Sequence, residues 1–254
     1  MIKEIWNNFK DALFPRDIKC IACDRELSHE NRYCLCDECL KSLPRSASHV
    51  CQKCGESLDS MADYCMSCKD HIERYFTLAR APLLYDGIVI KLIHDLKYHN
   101  KQFVGEYLSR MIVDEFIKHN FDVDVVVPIP LNPNREKQRG YNQALLISVS
   151  FEKELGLPID TVNFVRTVDT PTQTQLSKEE RKHNLEHAFK VINKTFFKNK
   201  KVLLIDDVYT TGATMEEASK ALIDGGAKEV YCLSVAHTMP IYLRKQREAE
   251  KKNS

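Results

Sequence analysis

Residues 202–214 read Val-Leu-Leu-Ile-Asp-Asp-Val-Tyr-Thr-Thr-Gly-Ala-Thr, an apolar run that ends in two adjacent acids and continues through small, hydroxyl-bearing residues. So continuous an apolar run predicts a strand buried on both faces. A helix should follow over about Thr214 to Asp224. Two consecutive carboxylates at the end of such a strand are costly unless a ligand or counter-ion meets them. Asp206 and Asp207 can accept hydrogen bonds from vicinal sugar hydroxyls. The loop amides and the hydroxyls of Thr210, Thr211 and Thr214 converge on a phosphate at a helix N-terminus, and Gly212 lets the backbone come close to it. The stretch points to a sugar-phosphate site at the open end of a parallel sheet.

Outward from this stretch, strand and helix patterns alternate. Phe76 to Tyr85 reads as a strand, and Ile88 to Tyr98 as a helix with Ile88, Leu92, Ile93 and Leu96 on its core face. A second amphipathic helix covers about Val104 to Ile117, a buried strand Val123 to Ile129, a helix about Tyr141 to Glu154, and a weaker strand Asn163 to Thr167. A last strand runs from Glu229 to Ala236. This rhythm implies a parallel sheet covered by helices on both sides. The polar stretch Val168 to Asn184 interrupts it and reads as a lid. After Pro240 the chain is highly charged and is expected to fray.

Nine of the ten cysteines lie between Cys20 and Cys68, and the tenth, Cys232, stands in an apolar strand pattern. Without an export signal the cluster points to metal rather than disulfides. Cys20/Cys23, Cys36/Cys39, Cys51/Cys54 and Cys65/Cys68 form four C-x-x-C knuckles, enough for two closed four-cysteine sites holding zinc structurally. The intervals of 12 and 10 residues within successive knuckle pairs favour sequential pairing over a cross-braced arrangement, which stays open at this point. Cys34 competes with Cys36 as a ligand, although the spacing prefers Cys36. Gly55, directly after Cys54, suits a ribbon turn. Residues 20 to 75 carry too little apolar periodicity to fold without metal.

The chain of 254 residues carries 37 basic and 36 acidic side chains, so no global field marks a nucleic-acid or membrane binder. No apolar run reaches the roughly 18 residues of a membrane helix, so the reading is a cytoplasmic protein. Ile2, Ile5, Trp6, Phe9 and Leu13 share one side of an N-terminal helix whose mixed polar face suits a cap on the next module better than a membrane anchor. Lys19, Arg25, Arg32, Lys41, Arg45 and Lys53 make the ribbon locally basic, and Tyr33 offers a stacking ring, but Asp24, Glu26, Glu30, Asp37 and Glu38 dilute the patch.

The 202–214 stretch resembles the signature by which type I phosphoribosyltransferases hold 5-phosphoribosyl-1-diphosphate (PRPP). Val127-Pro-Ile-Pro130 with Arg135, Arg139 and Gly140-Tyr-Asn-Gln143 resembles their diphosphate-contacting strand and loop, and arginines there suit a multiply charged anion. Arg166-Thr167 with Thr172, Gln175, Arg181 and Asn184 resembles their lid, with Arg181 as the residue that would act in catalysis. The resemblance implies PRPP contacts, with Mg2+, from Asp206, Asp207, Val208, Tyr209, Thr210, Thr211, Gly212, Ala213 and Thr214, and from Pro130, Arg135 and Arg139. Four zinc knuckles joined to this domain resemble the ComF/ComFC competence family over nearly the whole chain. That resemblance implies an α/β, type I phosphoribosyltransferase-like parallel sheet flanked by helices, with a small N-terminal double zinc ribbon. The expected division is 1–75 for the N-terminal helix and ribbon, 76–240 for the phosphoribosyltransferase-like domain and 241–254 for the tail. It further implies handling of transforming single-stranded DNA beside a ComFA-type DNA translocase. No segment can be assigned to reading a nucleobase, so PRPP is either consumed, as in an active phosphoribosyltransferase of nucleobase or nucleic-acid metabolism, or only bound.

Overall fold

The computed structural model describes residues 18–29, 31–59, 61–70, 74–167, 188–240 and 242–244. The expected N-terminal helix, the lid segment with Arg181 and most of the charged tail lie outside the described residues. Two short helices, α1 (Asp37–Lys41) and α2 (Met66–Asp70), belong to the cysteine-rich region. The chain continues through β1 (Leu78–Arg80), β2 (Leu83–Leu84), α3 (Gly87–Tyr98), α4 (Val104–Lys118), β3 (Val125–Pro128), α5 (Pro133–Arg139) and α6 (Gln143–Leu155). It ends with β4 (Phe164–Arg166), β5 (Phe189–Val191), α7 (Lys194–Phe197), β6 (Lys201–Tyr209), α8 (Ala213–Asp224) and β7 (Glu229–His237).

β6 lies between β3 and β7, and β1 and β2 both pair with the far edge of β7, every pairing parallel. The strand expected over Phe76 to Tyr85 is split, because Pro82 has no N–H to donate to a ladder. Backbone from the ribbon side fills the gap: Leu84 donates to the Pro44 carbonyl at 2.6 Å and Ser46 to the Pro82 carbonyl at 3.0 Å. β4 and β5 form an antiparallel pair outside the main sheet and flank the lid segment in sequence.

Alternate residues of the central strands feed two cores. Leu203, Ile205 and Leu233 pack with Leu92, Leu108 and Ile112 of α3 and α4, while Val202, Leu204 and Cys232 pack with Phe76 and with Leu222 of α8. The cysteine-rich region joins both. Cys20, Ile21 and Leu35 enter the first core, and Cys51, Cys54, Cys65 and Cys68 enter the second. Leu35 is fully buried and contributes about 2 kcal/mol by transfer from water alone. The ribbon therefore gains from the sheet the apolar burial that its own sequence lacks. No helix among the described residues is long and apolar enough to cross a membrane.

Candidate functional site

β6 delivers Asp206 and Asp207 to the carboxyl edge of the sheet, where a cavity of about 310 Å³ opens. Its walls include Lys97 and Tyr98 from α3, Arg135 and Arg139 from α5, Gln143 from α6, Arg166 from β4, and Asp206, Asp207, Val208, Thr210 and Thr214. α5 exists because Asn132 caps it, its side chain accepting from the Asn134 amide at 2.8 Å, with Pro133 in the first turn and Gly140 closing it at φ 82°. Asn142 then caps α6 and donates to the Ile129 carbonyl at 3.0 Å, which fixes the loop that carries both arginines to the strand end.

The two acids are not equivalent. Asp207 is buried and takes the Lys97 ammonium on Oδ1 at 2.6 Å, while its Oδ2 is buried with no hydrogen-bond partner among the described residues. Asp206 accepts the Asp207 amide at 2.8 Å. Burial, and then the neighbouring Asp207 charge, push the Asp206 carboxyl up to about 7. Against the burial that pulls it down, Asp207 holds the Lys97 ammonium above its ordinary value. A bare acceptor beside a half-neutralised acid pair is what a sugar hydroxyl or a divalent cation would meet.

Behind the acids, the 210–214 loop turns on Gly212, whose φ of 80° favours glycine and where a Cβ would strike the Tyr209 phenol. Tyr209 faces the core rather than the cavity, stacked on His237 at 4.7 Å and edge-on to Phe76 at 6.4 Å. Of the expected site residues, Arg135, Arg139, Asp206, Asp207, Val208, Thr210 and Thr214 line the cavity. Pro130, Thr211, Gly212 and Ala213 adjoin it in sequence without lining it, and Arg181 lies outside the described residues. Sequence reasoning missed Lys97: it is one more polar-face lysine on an amphipathic helix, and its partner is 110 residues away.

The eight knuckle cysteines gather as Cys20, Cys23, Cys36 and Cys39 and as Cys51, Cys54, Cys65 and Cys68, with the four sulfurs of each set within 4.8 Å of one another. Pairing is therefore sequential. Cys23 and Cys36 stand 3.7 Å apart, as do Cys54 and Cys65, and a tetrahedron of sulfurs about 2.3 Å from zinc has edges of about 3.8 Å. In the second set, contact with Cys54, Cys65 and Cys68 holds the Cys51 thiol far below the ordinary range, while Cys51 in turn drives Cys54 far above it. Four sulfurs this close need a cation to be charged together. Cys34 is outside both sets; its thiol donates to the Lys19 carbonyl at 3.2 Å.

Part of the ribbon's expected nucleic-acid patch is committed elsewhere. Arg32 pairs with Asp114 at 2.9 Å and Glu154 at 2.6 Å, the Tyr33 hydroxyl donates to Asp114, and Arg25 pairs with Glu38 at 2.8 Å.

Comparison with known proteins finds two family matches in this chain. A double zinc ribbon domain matches residues 9–69 and a phosphoribosyl transferase domain matches residues 138–253. Competence protein F of Haemophilus influenzae is 31% identical over 227 residues, covering 87% of this chain and 97% of that protein. DNA utilization protein YhgH of Escherichia coli K12 is 29% identical over 84% of this chain and 88% of its own, and competence protein ComFC of Bacillus subtilis 24% identical over 82% and 89%. A double zinc ribbon set before a phosphoribosyltransferase-type sheet, matched along nearly the full length of such relatives, places this chain in the ComF/ComFC competence protein family.

Proposed function

We propose that this protein binds PRPP with Mg2+ at the carboxyl edge of β6 and acts in the cytoplasm on transforming single-stranded DNA, in company with a ComFA-type translocase. The supporting observation is the acid pair, whose Asp207 Oδ2 has no partner among the described residues, set in one cavity with Lys97, Arg135, Arg139 and Arg166. The carboxylates suit the ribose hydroxyls, the 210–214 loop at the start of α8 suits the 5-phosphate, and the cations suit the diphosphate. Bound Mg2+ would neutralise diphosphate oxygens, with Asp206 and Asp207 as its nearest carboxylates. The two four-cysteine sets hold zinc as structural ions, since four thiolates leave no open position for chemistry. Residues 1–75, 76–240 and 241–254 act as ribbon, ligand-binding domain and tail.

The test is titration calorimetry of PRPP with Mg2+ against wild type and the double variant Asp206→Ala, Asp207→Ala. The expected result is measurable binding that the double variant abolishes with the fold intact; equal affinity in both overturns the reading. Diphosphate release in the presence of single-stranded DNA identifies an active transferase, and its absence identifies a PRPP-binding factor.

A further inference from the structure

At the lip of the cavity, α3 ends in an exposed group of rings that neither the acid pair nor the phosphate loop accounts for. His94 and Tyr98 are one helical turn apart on the solvent side, their centroids 4.6 Å from one another, and His99 lies 5.0 Å from His94. Tyr98 is 62% exposed, and the Arg139 guanidinium sits over its ring at 5.5 Å. A single exposed tyrosine would need no explanation. Three adjoining rings with an arginine, two of whose members also line the ligand cavity, form a surface suited to one kind of partner.

The charges around the rings sum to a positive field. Asp95 is buried, and its carboxylate gathers Lys91 at 2.9 Å, Lys101 at 3.0 Å and His99 at 2.7 Å. One negative charge thus holds at least two positive ones, leaving a fixed net positive charge beside the rings. Arg135 and Arg139 of α5, which line the same cavity, add to it, and the same helix carries Lys137 against Glu136. Rings that offer stacking faces, bordered by cations that meet a phosphate backbone, are the pairing by which single strands are held without sequence preference. A duplex has no free base face to offer them.

We infer that the Tyr98–His94–His99 ring group, with Arg139 and the cations gathered on Asp95, is the docking platform for single-stranded DNA. It rests on the reading of this protein as one that handles such DNA, and it moves the contact from the ribbon to the cavity mouth. A base stacked on Tyr98 lies next to the site proposed for PRPP.

The experiment is fluorescence anisotropy of a labelled oligothymidylate with the full-length zinc-loaded protein and its Tyr98→Ala, Tyr98→Phe and His94→Ala variants. Stacking of one base accounts for roughly a ten-fold or larger loss in Tyr98→Ala, a smaller loss in His94→Ala, and near wild-type affinity in Tyr98→Phe, which keeps the ring. Both positions are exposed, so thermal unfolding should be unchanged and misfolding is not an alternative cause. Wild-type affinity in Tyr98→Ala, or equal affinity of the wild type for a duplex of the same length, overturns the platform while the DNA-handling reading stands. No binding by the wild type overturns both. If Arg32→Ala, on the ribbon, gives the larger loss, the contact lies there and the platform is wrong.

Discussion

The two four-cysteine sets share a ligand type and nearly the same spacing, yet they are seated against different parts of the molecule. The first stands on the helical layer: Arg32 reaches Asp114 of α4 and Glu154 of α6, and Cys23 remains exposed. The second is buried throughout and grips the sheet. The Ala79 amide of β1 donates to the Lys53 carbonyl at 2.8 Å, and Arg80 donates to the carbonyls of Cys51 at 3.3 Å and Gln52 at 3.1 Å. Gly55, at φ 77°, must be glycine, since a Cβ would come within 2.8 Å of the Ala79 oxygen. From there a short chain of contacts leads to the loop after β6: Lys53 lies 5.8 Å from the Phe76 ring, Phe76 meets Tyr209, and Tyr209 backs Gly212. One motif thus has two uses: one copy fastens the ribbon to the helices, and the other supports the 210–214 loop.

The strongest way to break this comparison is to remove one thiolate from each set. Structural zinc supplies about 10 kcal/mol of folding free energy to its module, so either loss should empty one site and leave the other loaded. Cys54→Ser should lower the melting temperature most and weaken PRPP binding at least ten-fold, because the support behind Gly212 goes with the metal. Cys23→Ser should lose one zinc per chain and keep PRPP affinity within about two-fold. Zinc content, thermal unfolding and calorimetry read the three effects. Equal loss of PRPP affinity in the two variants would remove the distinction.

A smaller contrast lies in the ion pairs by which each half is tied down. Arg74 and Glu216 pair at 3.7 Å with side chains only 10% and 24% exposed, and Glu216 also accepts the Tyr75 amide at 3.1 Å. Arg32 and Asp114 are 39% and 37% exposed. Removing a partner from a mostly buried pair strands the other charge, so Glu216→Ala should cost about 3 kcal/mol in urea unfolding, with Glu216→Gln recovering part through the Tyr75 amide. Asp114→Ala should cost about 1 kcal/mol, since water already screens that pair. The reverse ranking would mean that the helical seat is the stronger one.

How far the sequence reveals these relations depends on how local they are. β6 and β7 are legible because strands buried on both faces leave continuous apolar runs, and α3, α4, α6 and α8 because their core residues keep helical spacing; their observed ends fall within about two residues of those expected. α5 reads as loop in the sequence, since none of its residues is buried and no apolar stripe marks it; Asn132-Pro133 and Gly140 are the cap signals that could have found it. β5 has three residues and takes its identity from pairing with β4. The acid pair, the two arginines and the eight cysteines announce themselves by residue type. Lys97, the neutralisation of Arg32 by Asp114 and Glu154, and the different seats of the two ribbons are long-range relations that no local pattern records.

The smallest expected effect concerns pH, and it separates support by position from support by charge. Asp206 carries a carboxyl raised to about 7 in the folded protein by burial and by Asp207, whereas in the unfolded chain it titrates at the ordinary carboxylate value. Between about pH 4 and 7 the folded state keeps a proton that the unfolded chain has released, so stability is highest below this window and falls as pH rises through it. The slope follows the fraction of one proton by which the two states differ, and is at most about 1.4 kcal/mol per pH unit. Asp206→Asn, which cannot ionise, should lose this component, and its stability relative to wild type should rise steadily from pH 5 to pH 7. No cysteine is among the main causes that raise Asp206, so Cys23→Ser should show the same difference when combined with Asp206→Asn. Urea unfolding at several pH values reads the slope. A constant gap between wild type and Asp206→Asn would mean that Asp206 is ionised throughout, and a gap altered by loss of the first zinc would mean that the ribbon acts on the acid pair through charge as well as through packing.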